Sequence, residues 1–388
     1  MRYADRVGSL RPSATMAAAA AVSEAIRSGQ DIVRFDIGEP DFDTPDHIRE
    51  AGIDAIRKGF THYTSARGIP ELGDALVQSL RANGIDARQE NLAFYPGSKL
   101  GVFSLLSLLV GEGDEVMLQD PVWPTYASIV EYLGGSPSLV RAWDEVDPNS
   151  FPVERFVEKM TPRTKAVVVN SPCNPTGSIA TKGALEELEE ACSSRDIVLV
   201  LDRIYSAITY DGRPEKAPAT DFEKGKIIVV SGFSKEFAMT GWRLGYTVAS
   251  KELTNLLVKV IDNTTTCATA FVQKAAVAGL TGERSWEKKM NDEYGARRDT
   301  MLAEIAKVSG WSCVKPAGAF YCFVNIGGPD SVSLSDALLR EARVSSVAGA
   351  HFGPSGEGHI RLSYTTSRER IVEGMGRIRR FVESTRAG

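Results

Sequence analysis

The sequence predicts an α/β fold: a large α/β domain with a mainly parallel sheet, joined to a smaller α+β domain from both termini. Between residues 92 and 248, short apolar runs rich in β-branched residues alternate with helical patterns, as in a parallel sheet covered on both faces. Beyond residue 251 the pattern changes to long helices with two strand candidates. We therefore expect an N-terminal segment at 1–44 that joins the small domain, a large domain at 45–280 and a small C-terminal domain at 281–388.

The N-terminal segment begins with an alanine-rich helical pattern over 13–29, where Ser13 can cap the start and Gly29 can end the helix. An apolar run at 32–35 then enters a loop at 38–45, GEPDFDTP, whose glycine, prolines and aspartates continue neither a helix nor a strand. Two further helices, each starting at a proline, are predicted at 45–58 and 70–82.

The same periodicity rules give the remaining elements. Strands are predicted at 92–95, 115–119, 165–170, 197–201, 227–230 and 244–248, with helices between them at 98–110, 126–133 and 184–192. In the C-terminal third, helices are predicted at 253–260, 286–308, 335–341 and 368–383, and strands at 320–324 and 359–362.

The composition is that of an ordinary globular chain and disfavours several classes of partner. The 388 residues carry 45 basic and 50 acidic side chains, and this net charge of −5 argues against a nucleic-acid-binding protein. The longest apolar runs fall well short of the roughly 18 residues of a membrane span, and no signal-peptide pattern is present. We expect a cytoplasmic protein that acts on small molecules, with neither nucleic acid nor membrane as a partner.

Cysteine, histidine and glycine patterns disfavour other classes. The five cysteines include no C-x-x-C pair, which predicts reduced thiols, and the four histidines lack zinc-binding spacing, so no metal is expected. The run Gly111-Glu112-Gly113 lacks the third glycine of a dinucleotide fingerprint, which disfavours a nicotinamide dehydrogenase.

Polar residues follow several predicted strands, at the edge where open α/β sheets bind their ligands. The turn Gly97-Ser98-Lys99 leads into a helix N-terminus, which can bind a phosphate group. Each such residue alone has an ordinary alternative as part of a turn, a helix cap or an exposed ion pair. The later strands are followed by an amide, a carboxylate, a phenol, a lysine and an arginine, namely Asn174, Asp202, Tyr205, Lys235 and Arg243.

Together these groups are the ones that pyridoxal 5′-phosphate requires. A lysine such as Lys235 can form a Schiff base with the cofactor's aldehyde. A carboxylate such as Asp202 beside the pyridine nitrogen keeps it protonated, because an opposite charge favours the charged form. A protonated ring stabilises a carbanion at the substrate Cα, so the strand ends predict a pyridoxal-phosphate enzyme.

Longer motifs carry a family resemblance from about residue 12 to the C-terminus: FDIGEPDFDTP, NSPCNPTG, SGFSKEFAMTGWRLGY and HIRLSYTTS. The sequence resembles the class I and II aminotransferases, which are pyridoxal-phosphate enzymes of fold type I. Two further stretches, RPSATMA and YPGSKLGVF, resemble the bacterial aspartate/prephenate aminotransferase branch in particular. The resemblance implies a homodimer with shared active sites that moves an α-amino group from an L-amino acid to a 2-oxo acid by a ping-pong mechanism.

The resemblance also implies a role for each matching residue. Lys235 would bind the cofactor and carry protons, Asp202 would pair with the pyridine nitrogen, and Tyr205 would contact the phenolic oxygen. Further cofactor contacts would come from Asn174 and Trp123 at the ring, from Gly97, Ser98, Lys99 and Arg243 at the phosphate, and from Tyr63 of the neighbouring subunit. The substrate would contact Gly38, Trp123, Asn174 and, through its α-carboxylate, Arg361.

Three features bear on how this chain differs within the family. Where the family often has a hydroxyl residue three positions before the lysine, this chain has Gly232, so Ser231 or Ser234 would supply the phosphate contact. Arg203 stands where glutamate is common. Lys99 matches a lysine that the aspartate-using branch places near the substrate side chain, which favours an acidic substrate; the alternative is that Lys99 faces solvent.

Two alternatives to transamination stay open from the sequence. Fold type I also hosts enzymes that eliminate or cyclise modified amino acids in specialised pathways, and a fold does not fix the reaction. The second alternative is a cofactor-binding sensor, although such proteins usually carry a DNA-binding module for which this chain is not expected to have room.

Overall fold

The computed structural model describes residues 7–8, 14–143, 147, 150–212, 216–218 and 221–387. Its strands are β1 (Val33–Arg34), β2 (Leu92–Tyr95), β3 (Glu115–Asp120), β4 (Ser136–Arg141), β5 (Thr164–Asn170), β6 (Val198–Asp202), β7 (Ile227–Gly232), β8 (Gly245–Val248), β9 (Ser312–Cys313), β10 (Tyr321–Asn325), β11 (Val344–Ser345), β12 (Val347–Ala348) and β13 (His359–Ser363). Its helices are α1 (Ala14–Arg27), α2 (Asp46–Arg57), α3 (Pro70–Ala82), α4 (Ser98–Leu109), α5 (Thr125–Tyr132), α6 (Val153–Lys159), α7 (Lys182–Ser193), α8 (Lys251–Asp262), α9 (Ala270–Thr281), α10 (Ser285–Ile305), α11 (Ser331–Ala337) and α12 (Arg368–Ala387).

A seven-stranded sheet forms the larger part of the fold, in the order β2-β8-β7-β6-β5-β3-β4. Its strands run parallel except for β8, which is antiparallel to both of its neighbours, β2 and β7. Because β8 is reversed, its first residue lies at the same edge of the sheet as the last residues of the parallel strands. That edge carries the cavity described below.

Helices cover both faces of this sheet, which explains why its strands are apolar along their whole length. In β5, Val167 and Val169 pack into one core and Ala166 and Val168 into the other, because successive side chains point to opposite faces. One core is completed by α2, α3, α6, α7 and α9, and the other by α4, α5 and α8.

A second, four-stranded sheet is antiparallel, with the order β12-β13-β10-β9. It packs with α10 and α12 around a third apolar core. The N-terminal strand β1 pairs in parallel with β11, so the start of the chain reaches the C-terminal part. The domain boundaries at residues 44 and 280 stay a prediction.

The mixed, mostly parallel sheet with helices on both faces confirms the predicted α/β class. The sequence patterns miss β4, α6 and α9, and the helix predicted at 335–341 begins earlier, at Ser331, where the Asp330 side chain accepts a hydrogen bond from the Ser333 backbone at 3.0 Å. The proposed cap Ser13 lies outside the described residues. Within the described ranges, no helix combines the length and apolar character needed to cross a membrane.

Candidate active site

A cavity of about 580 Å³ lies at the carboxyl edge of the seven-stranded sheet, and residues of the four-stranded sheet form its opposite wall. The predicted site residues that line it are Gly38, Ser98, Lys99, Trp123, Asn174, Asp202, Tyr205, Ser234, Lys235, Arg243 and Arg361. The other three predicted residues, Tyr63, Gly97 and Ser231, do not belong to the lining.

Lys235 lies in the cavity just after β7, and its Nζ donates a hydrogen bond to the Gly38 carbonyl at 2.6 Å. Burial lowers the pKa of Lys235 to about 8; Glu39 opposes this effect, and Arg243 adds to it. The lysine is therefore held in one orientation and is far more readily deprotonated than an exposed lysine.

Asp202 ends β6 and is fully buried beside this lysine. Its Oδ2 accepts a hydrogen bond from the Tyr126 hydroxyl at 2.6 Å, and its Oδ1 accepts one from the Ile204 backbone at 3.0 Å. Burial raises the pKa of Asp202, whereas these two hydrogen bonds and the charge of Lys235 lower it. The site thus holds a fixed carboxylate that a cationic group in the cavity would stabilise.

Arg361 lies within β13 and reaches the cavity from the four-stranded sheet. Its Nη1 donates to Asn174 Oδ1 at 2.9 Å, and its Nη2 donates to the Asp36 carbonyl at 2.7 Å. Asn174 is fixed in turn, because its backbone N–H donates to Asn170 Oδ1 at 2.8 Å. Nη1 and Nη2 each carry two hydrogens and use one in these bonds, which leaves two guanidinium donors for an anion.

The turn before α4 brings backbone and cation together. Gly97 has a φ of +92°, and a Cβ at this position would lie 2.1 Å from Arg243 Nη2, so a side chain here would displace the guanidinium. Gly245 approaches equally closely, because a Cβ there would lie 2.3 Å from the Ser98 nitrogen. A helix N-terminus with an arginine against it is suited to binding phosphate. Gly97 therefore shapes this corner of the cavity without belonging to its lining.

Trp123 and Lys99 form a neighbouring part of the wall. Lys99 Nζ lies 4.9 Å from the Trp123 ring centroid, and Trp123 meets Tyr126 edge-to-face at 5.3 Å. Burial and the nearby charge of Arg243 lower the pKa of Lys99. Lys99 is thus a cavity residue rather than a purely solvent-facing one.

The structure separates the two serines beside Lys235. Ser234 lines the cavity, whereas the Ser231 hydroxyl donates to the Arg203 carbonyl at 3.2 Å and lies outside the lining. A Cβ on Gly232 would lie 2.9 Å from both the Gly245 Cα and the Leu244 carbonyl oxygen, so close strand packing explains the glycine at that position. Arg203 is buried and does not line the cavity.

Tyr63 is 85% exposed and lies on a loop that a buried glutamine holds in place. Gln273 donates to the Thr64 hydroxyl at 2.9 Å and to the Ala268 carbonyl at 2.8 Å, while its Oε1 accepts from the Ile69 backbone at 2.8 Å. An aromatic side chain is therefore presented to solvent from a well-fixed backbone.

Sequence reasoning missed several cavity residues. Tyr126, Tyr321, Asp36, Glu39 and Asn170 all line the cavity without having been assigned to the site. Tyr126 could have been found, because it lies three residues after Trp123 in the same short motif. Tyr321 had no such signal, since it lies in an apolar strand and reaches the cavity only through strand pairing.

Comparison with known proteins places this chain in a family. The family model "Aminotransferase class I and II" matches residues 30–378. The probable aspartate/prephenate aminotransferase of Aquifex aeolicus is 37% identical over 98% of both chains, and the aspartate aminotransferase of Bacillus subtilis is 35% identical over 99% of both. The solved structure of Thermus thermophilus aspartate aminotransferase with maleate is 37% identical and has a TM-score of 0.92, covering 98% of this chain and 100% of that one.

The fold and the site define a fold type I transferase, and the chain belongs to the aminotransferase class I and II family. It is an aminotransferase, an enzyme that moves an α-amino group from an amino acid to a 2-oxo acid, and the comparisons do not favour elimination or cyclisation. Members of this family generally depend on pyridoxal 5′-phosphate.

Proposed function

We propose that the cavity binds pyridoxal 5′-phosphate through Lys235 and that the enzyme transfers amino groups between acidic L-amino acids and 2-oxo acids. The observation that carries the proposal is that Lys235, Asp202 and Arg361 converge on one cavity, with the lysine held at the Gly38 carbonyl. A covalent attachment point, an anion for the ring nitrogen and a cation for the substrate carboxylate are thus within one site.

The residues present fit the cofactor at each end. The corner formed by Gly97, the α4 N-terminus and Arg243 would hold the phosphate, with Ser98 and Ser234 as hydroxyl donors. At the other end, a protonated ring nitrogen beside Asp202 would offset the cost of burying that carboxylate. Asn174 and Tyr205 would contact the phenolic oxygen, and Trp123 would cover the ring face.

The protein's own part in the chemistry is to orient the substrate and move a proton. Bound pyridoxal phosphate supplies an electron sink that stabilises negative charge at the substrate Cα. Arg361 binds the α-carboxylate and fixes the Cα relative to Lys235 Nζ. The depressed pKa of Lys235, about 8, allows its amine to accept and return a proton near neutral pH.

Lys99 supports an acidic substrate. Its cationic group lies on the cavity wall together with Lys235, Arg243 and Arg361. Those three would bind the cofactor's aldehyde carbon, its phosphate and the substrate's α-carboxylate, whereas Lys99 has no such partner assigned. A second carboxylate on the substrate would pair with it. The names of the two curated relatives given above, aspartate/prephenate and aspartate aminotransferase, agree with this choice, whereas other relatives are named for aromatic amino acids or alanine.

A homodimer is part of the proposal, with Tyr63 completing the phosphate site of the partner subunit. A tyrosine that is 85% exposed on a clamped loop is poorly explained within one subunit and is suited to a contact between subunits.

The five cysteines are all unpaired, which supports a cytoplasmic enzyme.

Absorption spectroscopy tests the proposed function. We expect the purified protein to take up pyridoxal phosphate with a visible band that bleaches when aspartate or glutamate is added, with one 2-oxo acid formed per site and no ammonia. Alanine and an aromatic amino acid serve as controls for the acidic side chain. Ammonia release would indicate elimination, and the absence of any band would overturn the cofactor assignment.

A further inference from the structure

Tyr321 occupies a position between the two halves of the site. It begins β10, is completely buried and lines the cavity. In the antiparallel pair of β10 and β13, Tyr321 lies opposite Ser363, so Arg361 is its diagonal neighbour on the same face. Tyr321 lies outside the four motifs that carry the family resemblance.

Three contacts connect Tyr321 to residues with proposed roles. Its hydroxyl lies 2.8 Å from the Tyr205 hydroxyl, and its ring centroid lies 4.4 Å from Arg361 Cζ. A Cβ on Gly38 would lie 2.9 Å from the Tyr321 oxygen, so the phenol packs against the backbone whose carbonyl holds Lys235.

We propose that Tyr321 is a positioning residue with two separable actions: its hydroxyl orients Tyr205 toward the cofactor, and its ring orients Arg361 toward the substrate carboxylate. The inference rests on the proposed function, because it assumes a bound cofactor beside Tyr205 and a carboxylate at Arg361.

The hydroxyl action follows from counting donors. A phenol has a single O–H, so when Tyr205 donates it to the cofactor, its own oxygen can only accept, and Tyr321 is the donor 2.8 Å away. Burial raises the pKa of both phenols, so each keeps its proton at neutral pH. Hydrogen bonds in a chain polarise one another, so donation from Tyr321 strengthens donation by Tyr205.

The ring action follows from the way Arg361 is held. Asn174 and the Asp36 carbonyl bind its terminal nitrogens, and Cζ lies over the Tyr321 ring at 4.4 Å, closer than the 5.2 Å to the Phe352 ring. Stacking on an aromatic ring restricts rotation of the planar group and is favourable when the pair is buried.

Replacing Tyr321 with phenylalanine isolates the hydroxyl action. We expect the pH midpoint of the visible band of the cofactor-loaded Tyr321→Phe enzyme to rise by about half a unit to one unit. One neutral hydrogen bond to Tyr205 is lost, so Tyr205 donates more weakly to the phenolic oxygen and the ionised form of the cofactor is less stabilised. The same substitution in a Tyr205→Phe background should leave the midpoint unchanged, because the hydroxyl acts only through Tyr205. The KM for the amino acid should stay within about twofold of wild type, because the ring is retained.

Replacing Tyr321 with leucine removes the ring as well. We expect the KM for the amino acid to rise about tenfold above that of Tyr321→Phe, since a buried cation–aromatic contact is lost. Thermal unfolding of the cofactor-free variants checks that both are folded. Tyr364→Phe is the matched control, because Tyr364 is an equally buried phenol that hydrogen-bonds to the Ala319 carbonyl at 3.3 Å outside the cavity lining.

The outcomes separate the inference from the proposed function. A normal wild-type titration with an unchanged midpoint in Tyr321→Phe, a shift that persists without the Tyr205 hydroxyl, or equal KM values for the phenylalanine and leucine variants would overturn the inference alone. A wild-type protein that forms no visible band with pyridoxal phosphate would overturn the proposed function, and the inference with it.

Discussion

The two walls of the cavity are built on different principles. The proposed cofactor wall, Ser98, Asp202, Lys235 and Arg243, consists of residues at strand ends of the seven-stranded sheet, where chain direction alone brings them together. The proposed substrate wall, Gly38, Tyr321 and Arg361, combines a loop with strand residues that face the cavity through the register of β10 and β13. The end of a strand can be predicted from the local sequence pattern. Which residue within a strand faces the cavity depends on its pairing with another strand, which the local sequence does not report.

Substitutions in the two walls should therefore affect the kinetics differently. Among them, we expect Lys235→Ala to cause the largest loss of activity. Turnover should fall by at least about a thousandfold, because both the cofactor attachment and the proton carrier are lost. Steady-state rates measured with saturating pyridoxal phosphate test this expectation. Lys288→Ala, at a lysine whose side chain is 81% exposed, is the control and should keep the wild-type rate. Near-normal turnover in Lys235→Ala would contradict the proposal that Lys235 attaches the cofactor and carries the proton.

Arg361→Ala tests the substrate wall instead. We expect the KM for the amino acid and for the 2-oxo acid to rise about a hundredfold or more, because a buried charged hydrogen bond to the carboxylate is lost. Cofactor affinity, measured by equilibrium dialysis, should change little. A variant that loses its cofactor while keeping its KM would show that the two walls are not separable in this way.

The rate at which the cofactor-free protein binds pyridoxal phosphate, measured as a function of pH, tests the cofactor wall in the absence of substrate. The pKa of Lys235 is lowered to about 8, so the amine is charged below that pH and neutral above it. Only the neutral amine attacks an aldehyde, so the rate of appearance of the visible band should rise about tenfold per pH unit up to pH 8 and then level off. Stopped-flow absorbance on the cofactor-free protein measures this rate. A rise that continues to pH 10 would indicate an ordinary, exposed lysine.

Gly97→Ala tests the phosphate corner with an unusually close control. The new Cβ would collide with Arg243, and we expect cofactor affinity to fall about tenfold to a hundredfold. Gly113→Ala imposes a similar backbone cost, since Gly113 has a φ of +85°, but nothing lies within 4 Å of its Cβ position. Equal cofactor affinities in the two variants would show that the collision with Arg243 does not matter.

Lys99→Gln is expected to have the smallest effect and to refine the account of the substrate. The kcat/KM for aspartate should fall about tenfold relative to that for alanine, because a single charged hydrogen bond to the side-chain carboxylate is lost. Competition between the two amino acids in one reaction gives the ratio directly. An unchanged ratio would mean that Lys99 does not select the side chain.

How far the sequence could be read depended on whether a feature was local. Between Leu92 and Val248, every strand and helix except β4 and α6 could be predicted, because apolar runs and helical periodicity are local signals. The sequence also located Asp202 and Lys235 in the cavity, because each directly follows or closely follows a predicted strand. The strand β4 escaped prediction because Pro137 interrupts a short and weakly apolar run, which joins the sheet through its partner β3.

Contacts distant along the chain could not be read from it. The separation of Ser231 from Ser234 depends on which way each side chain faces once β7 and β8 pack, and no spacing rule reports that. Similarly, the contact between Tyr205 and Tyr321 joins residues 116 positions apart. Arg361 was identified through the family resemblance rather than through periodicity, for the same physical reason.

The central claim is that Lys235 attaches the cofactor, and chemical trapping tests it most directly. The protein is loaded with pyridoxal phosphate, reduced with borohydride to make the attachment permanent, digested and examined by mass spectrometry. We predict the phosphopyridoxyl group on the peptide that contains Lys235, with no more than trace labelling of Lys99 or Lys274. Stoichiometric labelling of a different lysine, or none at all, would contradict the account.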